Sequence, residues 1–190
     1  MTPCDVSVAP TLHTALARRF SPMMFDSTAV VTDEQVDTLL DVSRLAPSAG
    51  NSQPWMFVVA RRGDLIHDRI VPHLAGSSAE WAPNASLLVV NLAQIYVEDT
   101  PDWEYSEFSR YDLGQAVAHM TIQGLAIGLD AHQFRAFDRA GVTREFDVPP
   151  HWEVTSISAF GSADPAADVF SASGSRRERR TRDEVTWSRA

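Results

Sequence analysis

APSAGNSQPW, residues 46–55, joins an amphipathic helical pattern to a short apolar run, WMFVVA. Pro47 stops the helix, because it has no N–H to donate and its ring clashes with the preceding turn. Ser48, Ala49, Gly50 and Asn51 are turn formers with small side chains, so backbone here lets a flat molecule come close. Asn51, Ser52 and Gln53 then supply a row of hydrogen-bond donors and acceptors, while Pro54 and Trp55 stiffen the exit and anchor it to a core. The stretch is either a border for a ligand or a polar helix-to-strand connection, and these residues alone leave both readings open.

Upstream, residues 32–44 form the clearest helix in the sequence. Thr32 and Gln35 have capping-box spacing, Asp33 and Glu34 suit the positive end of the helix dipole, and Val36, Leu39, Leu40 and Leu45 build one apolar face. This helix delivers the turn at a fixed angle. Before it, residues 11–20 have helical spacing and stop at Ser21-Pro22. Arg18, Arg19 and Ser21 form a cluster that holds a phosphate through guanidinium forks and a hydroxyl, or else a solvated basic helix end.

Downstream, residues 56–60 read as a buried strand, 64–74 as an amphipathic helix and 86–92 (SLLVVNL) as a second buried strand. His67 and His73 lack the spacing of a helix-face metal pair and read as surface or capping histidines. In residues 95–111, Tyr96, Trp103, Tyr105, Phe108 and Tyr111 are interleaved with acids, the mark of a loop packed on its own side chains. Residues 112–129 form a second strong helix. Gly114, Ala118, Gly124 and Gly128 keep it thin, which predicts burial on more than one side, with His119 as an interface histidine. A short helix over 142–146 precedes a third strand over 153–160 that ends at Gly161. Residues 162–175 are a small, polar surface connection, and 176–190 begin with a run of arginines.

A chain of 190 residues, 44% hydrophobic and 22% charged, suits a single domain with its own core. The net charge of −9 argues against general nucleic-acid binding, and all 16 basic residues are Arg. The single cysteine, Cys4, excludes an internal disulfide and a multi-cysteine metal site. Neither a leader nor an apolar run near the ~18 residues of a membrane span is visible, so a cytoplasmic location without membrane insertion is expected. The GxGxxG, GxxxxGK[ST] and GxSxG fingerprints are absent, and the histidines carry no metal spacing. What remains is a redox protein whose reactive group is a bound cofactor, since such an enzyme needs shaped polar contacts rather than a nucleophile.

APSAGNSQPW, preceded by VTDEQVDTLLDVSRL and by RRFSPMMFD, resembles the amino-terminal signature of the nitroreductase-like FMN flavoproteins. In that family an Arg-x-Ser-x-Arg/Lys stretch leads to a helix and then to a Pro-Ser-x-x-Asn-x-Gln-Pro-Trp turn. The resemblance runs from about residue 12 to 187. It implies one α+β domain over 1–190, a nitroreductase-like sandwich whose mixed, mostly antiparallel sheet is flanked by helices. It also implies an intertwined homodimer with one FMN at each interface, and residues 1–10 are expected to be flexible.

By the same resemblance, Arg19, Ser21, Arg177 and Arg179 hold the FMN phosphate, the last two in a carboxy-terminal clamp. Met23 occupies the second basic position of the motif, a missing contact for which Arg18 is the substitute at hand. Pro47, Ser48, Asn51 and Gln53 border the flavin ring. Residues 130–138 (DAHQFRAFD) match the loop facing flavin N5, where Arg135 and Ala136 replace an acidic residue and Gly found in many members. Gly161 falls where the family also closes a strand with Gly, and is counted with the cofactor-binding residues. Residues 95–111 become a lid and 112–129 the central dimer helix. The implied activity is hydride transfer from NADH or NADPH through flavin N5 to an electron-poor small molecule, namely a nitroaromatic, quinone or activated alkene. Two alternatives stand beside it: a flavin carrier or sensor with a degenerate site, favoured by Met23 and Ala136, and a flavin oxidase of a peptide or small metabolite using oxygen.

Overall fold

The computed structural model describes residues 12–100, 102–164 and 179–189. Expectations for residues 1–10, Cys4, Arg177 and most of 162–175 fall outside them. In chain order the elements are α1 (Thr14–Arg18), α2 (Asp33–Arg44), β1 (Trp55–Arg61), α3 (Leu65–Ile70), α4 (Ser78–Trp81), β2 (Leu87–Gln94), α5 (Ser109–Ala126), β3 (Asp130–Phe134), α6 (Arg139–Glu145) and β4 (Trp152–Gly161).

β2 divides the molecule. Its residues alternate between two cores, as the period of two in a strand requires: Leu88, Val90 and Leu92 enter one, Leu87, Val89 and Ala93 the other. The first core is closed by Ile70 of α3, Trp81 of α4, Val142 of α6 and the aromatic pair Phe134 and Phe137. The second is closed by Val36 and Leu39 of α2 and by Leu113, Ala116, Val117 and Met120 of α5. The sheet order is β1-β2-β4-β3, and every pair is antiparallel. An α+β sandwich with helices on both sides is therefore observed, with no parallel strand pair among the described residues.

α2 begins as its sequence dictates. The Thr32 hydroxyl accepts from the Gln35 N–H at 3.1 Å while the Gln35 side chain accepts from the Thr32 N–H at 3.0 Å. Such a box satisfies two otherwise orphaned donors and is worth about 1 kcal/mol. Leu45, expected on the apolar face, lies just past the helix and is exposed.

Four other readings need correction. Residues 56–60 belong to an edge strand, not a buried one, because β1 has a neighbour only in β2, and Met56 is 56% exposed. Residues 130–138 are not a loop throughout: 130–134 form β3, paired with β4 from Asp130 opposite Gly161 to Phe134 opposite Ile157. The strand over 153–160 is consequently the fourth. His67 is buried rather than superficial, since it lies one turn before Ile70 on the inner side of α3.

Candidate functional site

The turn at 46–55 is held in an unusual backbone conformation. Gly50 has φ +58°, and the non-glycine residues Asn51 and Gln53 have φ +56° and +48°. Asparagine tolerates the left-handed region, but glutamine adopts it at a cost of about 1 kcal/mol or more. Contacts from elsewhere fix the shape. The buried Asp112 carboxylate, in the first turn of α5, accepts from the Ala49 N–H at 2.9 Å. Gln115 donates to the Pro47 carbonyl at 3.3 Å, the Tyr105 hydroxyl to the Ser52 carbonyl at 3.0 Å, and the Gln53 N–H to the Ser48 hydroxyl at 3.0 Å. Pro47, Asn51 and Gln53 remain exposed and Ser48 half-buried, so the turn presents polar side chains outward on a rigid frame.

A second polar centre lies near the other end of α5. The Arg19 guanidinium donates to the Ser21 hydroxyl at 3.3 Å. Both line a cavity of about 360 Å³ whose remaining wall is Thr121 of α5 with Ala131 and Gln133 of β3. Gln133 donates to the Thr121 hydroxyl at 2.9 Å. The Arg19 guanidinium and the Ser21 hydroxyl in this small space are donors suited to a phosphate ester, and Thr121 and Gln133 add further polar lining. Arg18 lies in a neighbouring groove with Leu125, Gly128 and Asp130, and Met23 packs onto the core beyond the other face of the sheet.

On that other face, behind the cavity, His132 stacks on Trp81 with ring centres 4.4 Å apart, and its Nδ1 lies 2.8 Å from the Pro22 carbonyl. Burial lowers its pKa, and the charge of Arg19 adds to the effect against the opposing Pro22 contact. Pro22 is thereby tied to β3, which sets where Ser21 and Arg19 stand.

The remaining expected site residues fall elsewhere. Arg135 and Ala136 leave the end of β3 exposed, with the Ala136 carbonyl accepting from the Ala75 N–H at 3.0 Å and from the Ser78 hydroxyl. The charge of Arg135 reaches Glu153, whose pKa is lowered first by its hydrogen bond to Arg110 and then by the charges of Arg110, Arg139 and Arg135. Gly161 is buried for a packing reason: a Cβ there would lie 3.0 Å from the Phe25 ring and 3.1 Å from the Ser86 nitrogen. Arg179 is exposed in the carboxy-terminal segment, and Arg177 lies outside the described residues. The self-packed segment expected over 95–111 is shorter, because 109–111 are the first turn of α5; before it, Val97 donates to Trp103 at 2.9 Å and Tyr105 to Ile95 at 2.8 Å.

The structure thus gathers Arg19 and Ser21 in one place and Pro47, Ser48, Asn51 and Gln53 in another. Asp112, which carries the turn, and Thr121, which lines the cavity, are nine positions apart on α5, or about 13 Å along its axis. Sequence reasoning missed Asp112, Thr121 and Gln133. Alternation along β3 was the available signal for Gln133, which shares a face with Ala131. Among the described residues no cluster of His, Cys, Asp and Glu is suited to a metal ion, and no helix is long and apolar enough to cross a membrane.

A family model described as the nitroreductase family matches residues 16–162. An Archaeoglobus fulgidus protein with the provisional name NADH dehydrogenase/NAD(P)H nitroreductase is 25% identical over 146 residues, covering 75% of this chain and 80% of its own. A Rhodospirillum rubrum protein named 5,6-dimethylbenzimidazole synthase is 28% identical over 152 residues, covering 69% and 72%. Among solved structures, an oxidoreductase described as containing FMN superposes with a TM-score of 0.76 at 26% identity, covering 86% of this chain and 83% of that one.

Proposed function

Because the chain belongs to the nitroreductase family over most of its length, we propose that it is an FMN-dependent oxidoreductase that takes hydride from NADH or NADPH and delivers it to an electron-poor acceptor. The observation that carries this reading is the cavity in which Arg19 and Ser21 meet Thr121 and Gln133. Arg19 and Ser21 offer the cation and the hydroxyl that a flavin's phosphate tail requires, and the residues present therefore fit FMN. FMN, when bound, supplies the reversible hydride acceptance that no side chain here provides.

The chain's own residues bind and orient. Arg19 and Ser21 hold the phosphate, joined by Arg177 and Arg179 of the tail. Pro47, Ser48, Asn51 and Gln53 border the ring with their rigid polar rim. Arg135 and Ala136 lie near the reactive edge, where a positive charge favours the anionic reduced ring. Residues 95–111 cover the acceptor space and select among nitroaromatics, quinones and activated alkenes.

A homodimer completes the site in this reading. The phosphate cavity and the ring-bordering turn occupy separate ends of α5, and one flavin would meet the cavity of one protomer and the turn of its partner. Exposed Tyr111, Gly114 and Ala118 on the outer side of α5 support a second copy packed there.

The test is the visible spectrum of protein incubated with FMN and passed through gel filtration, followed by anaerobic titration with NADH and NADPH. The expected result is retention of bands at about 370 and 450 nm that bleach with a nicotinamide and return with a nitroaromatic or quinone. Retained flavin that no nicotinamide bleaches would replace the reductase with a carrier or an oxidase, and failure to retain flavin would remove the cofactor.

A further inference from the structure

We propose that Gln133, oriented by Thr121, binds the ribityl hydroxyls of the flavin through its Oε1, an inference that rests on the FMN reading above. The orientation follows from counting protons. The Thr121 hydroxyl donates its single hydrogen to the Val117 carbonyl one turn back, at 2.9 Å. Toward Gln133, 2.9 Å away, it can therefore only accept. The amide is fixed with Nε2 toward Thr121, which uses one of its two N–H groups, and Oε1 is the one acceptor it offers to a ligand.

A carbonyl oxygen discriminates between the two ends of a phosphorylated sugar alcohol. Phosphate oxygens are acceptors bearing negative charge and are repelled by it; hydroxyls are donors and bond to it. The same cavity holds Arg19 and Ser21, whose charge and hydroxyl take the phosphate. Ala131, on the same face of β3 as Gln133, is small enough to leave the hydroxylated carbon chain its path between them. Gln133 is thus a binding residue and Thr121 a positioning residue.

The experiment measures dissociation constants for FMN, riboflavin and lumiflavin by quenching of flavin fluorescence and by calorimetry. Riboflavin lacks the phosphate, and lumiflavin lacks the ribityl chain as well. Gln133→Leu removes the acceptor at nearly constant volume and is expected to weaken FMN and riboflavin by the same factor, about five- to tenfold, while lumiflavin affinity is unchanged. Thr121→Val should act in the same direction, and Thr121→Ser, which keeps the hydroxyl, should restore affinity. Arg19→Ala should weaken FMN alone.

Unchanged FMN and riboflavin affinity in folded Gln133→Leu would overturn the inference. So would a loss confined to FMN, which assigns Gln133 to the phosphate, or an equal loss for lumiflavin, which assigns it to the ring. If the unmodified protein binds none of the three flavins, the FMN reading itself falls and takes this inference with it.

Discussion

The two faces of α5 carry similar residues and meet opposite surroundings. Toward the sheet, Leu113, Ala116, Val117 and Met120 are buried, and Gly124 lets the helix so close to β4 that a Cβ would lie 3.3 Å from the Phe160 ring. Away from it, Tyr111 is 67% exposed, Ala118 is exposed, and a Cβ on Gly114 would meet nothing within 4 Å. A helix that is small and apolar on both sides is suited to burial on both sides, and one sheet covers only one of them. The inner face completes the second core, and the outer face, left uncovered by the fold, is the surface proposed for a second copy.

The inner face gives the largest expected effect. Met120→Ala empties a fully buried position at the centre of that core and should lower unfolding free energy by about 2–5 kcal/mol. Urea denaturation checks it, and the midpoint of an isolated monomer should fall equally. A loss below about 1 kcal/mol would mean that the core relaxes around the site far more than its packing implies. Asp112→Ala comes next, at about 1–3 kcal/mol, because the Ala49 N–H and the Gln115 amide lose the buried carboxylate that accepts from them. Here hydrogen exchange should accelerate at 49–53 and not around Arg19. Exchange that rises equally at both ends of α5 would contradict their separate anchoring.

The outer face gives a smaller change in folding and a plain change in assembly. Ala118→Glu adds a charge at an exposed position, so helix content and urea midpoint of the monomer should hold. A dimer packed on that face would bury the charge unpaired. Sedimentation should then shift from dimer to monomer, with FMN affinity falling about tenfold as the partner's turn is lost, or roughly 1.4 kcal/mol. A dimer that survives Ala118→Glu with full FMN affinity would move the interface off α5.

How far these features were legible follows from the range of the interactions behind them. The cap of α2 was readable because Thr32 and Gln35 are three residues apart, and the turn because its Pro, Gly and Asn constrain their own backbone. β2 was readable because both of its faces are buried, which leaves an unbroken apolar run. β3 was not: it is an edge strand of five residues with His132 and Gln133 inside it, and its identity as a strand comes from β4, more than twenty residues later. The site divided in the same way. Arg19 and Ser21 are local, whereas Asp112 finds Ala49 across 63 positions and Gln133 finds Thr121 across a reversal of the chain. No local pattern encodes such pairs, and the resemblance points only to the part of the candidate site that recurs as a motif.

β3 repeats the contrast between faces at the scale of one strand, and it yields the smallest and most specific prediction. Gln133 points to the α5 side, whereas His132 stacks on Trp81 beyond the opposite face and holds Pro22. Burial, aided by Arg19, places the folded pKa of His132 below its ordinary 6.5. The folded protein then takes up this proton less readily than the unfolded chain, so the associated stability is complete above about 6.5 and is lost as pH falls through the lower folded value. Glu153 has the same sign but acts lower, below the ordinary glutamate value of 4.5. The two are separable. Urea midpoints of the unmodified protein should begin to decline as pH falls below about 6.5, and His132→Phe, which keeps a ring for Trp81, should flatten that first segment while leaving the acid limb below it. If the decline persists in His132→Phe, His132 is not the group that feels acid first, and the anchoring of Pro22 behind the cavity does not depend on its protonation.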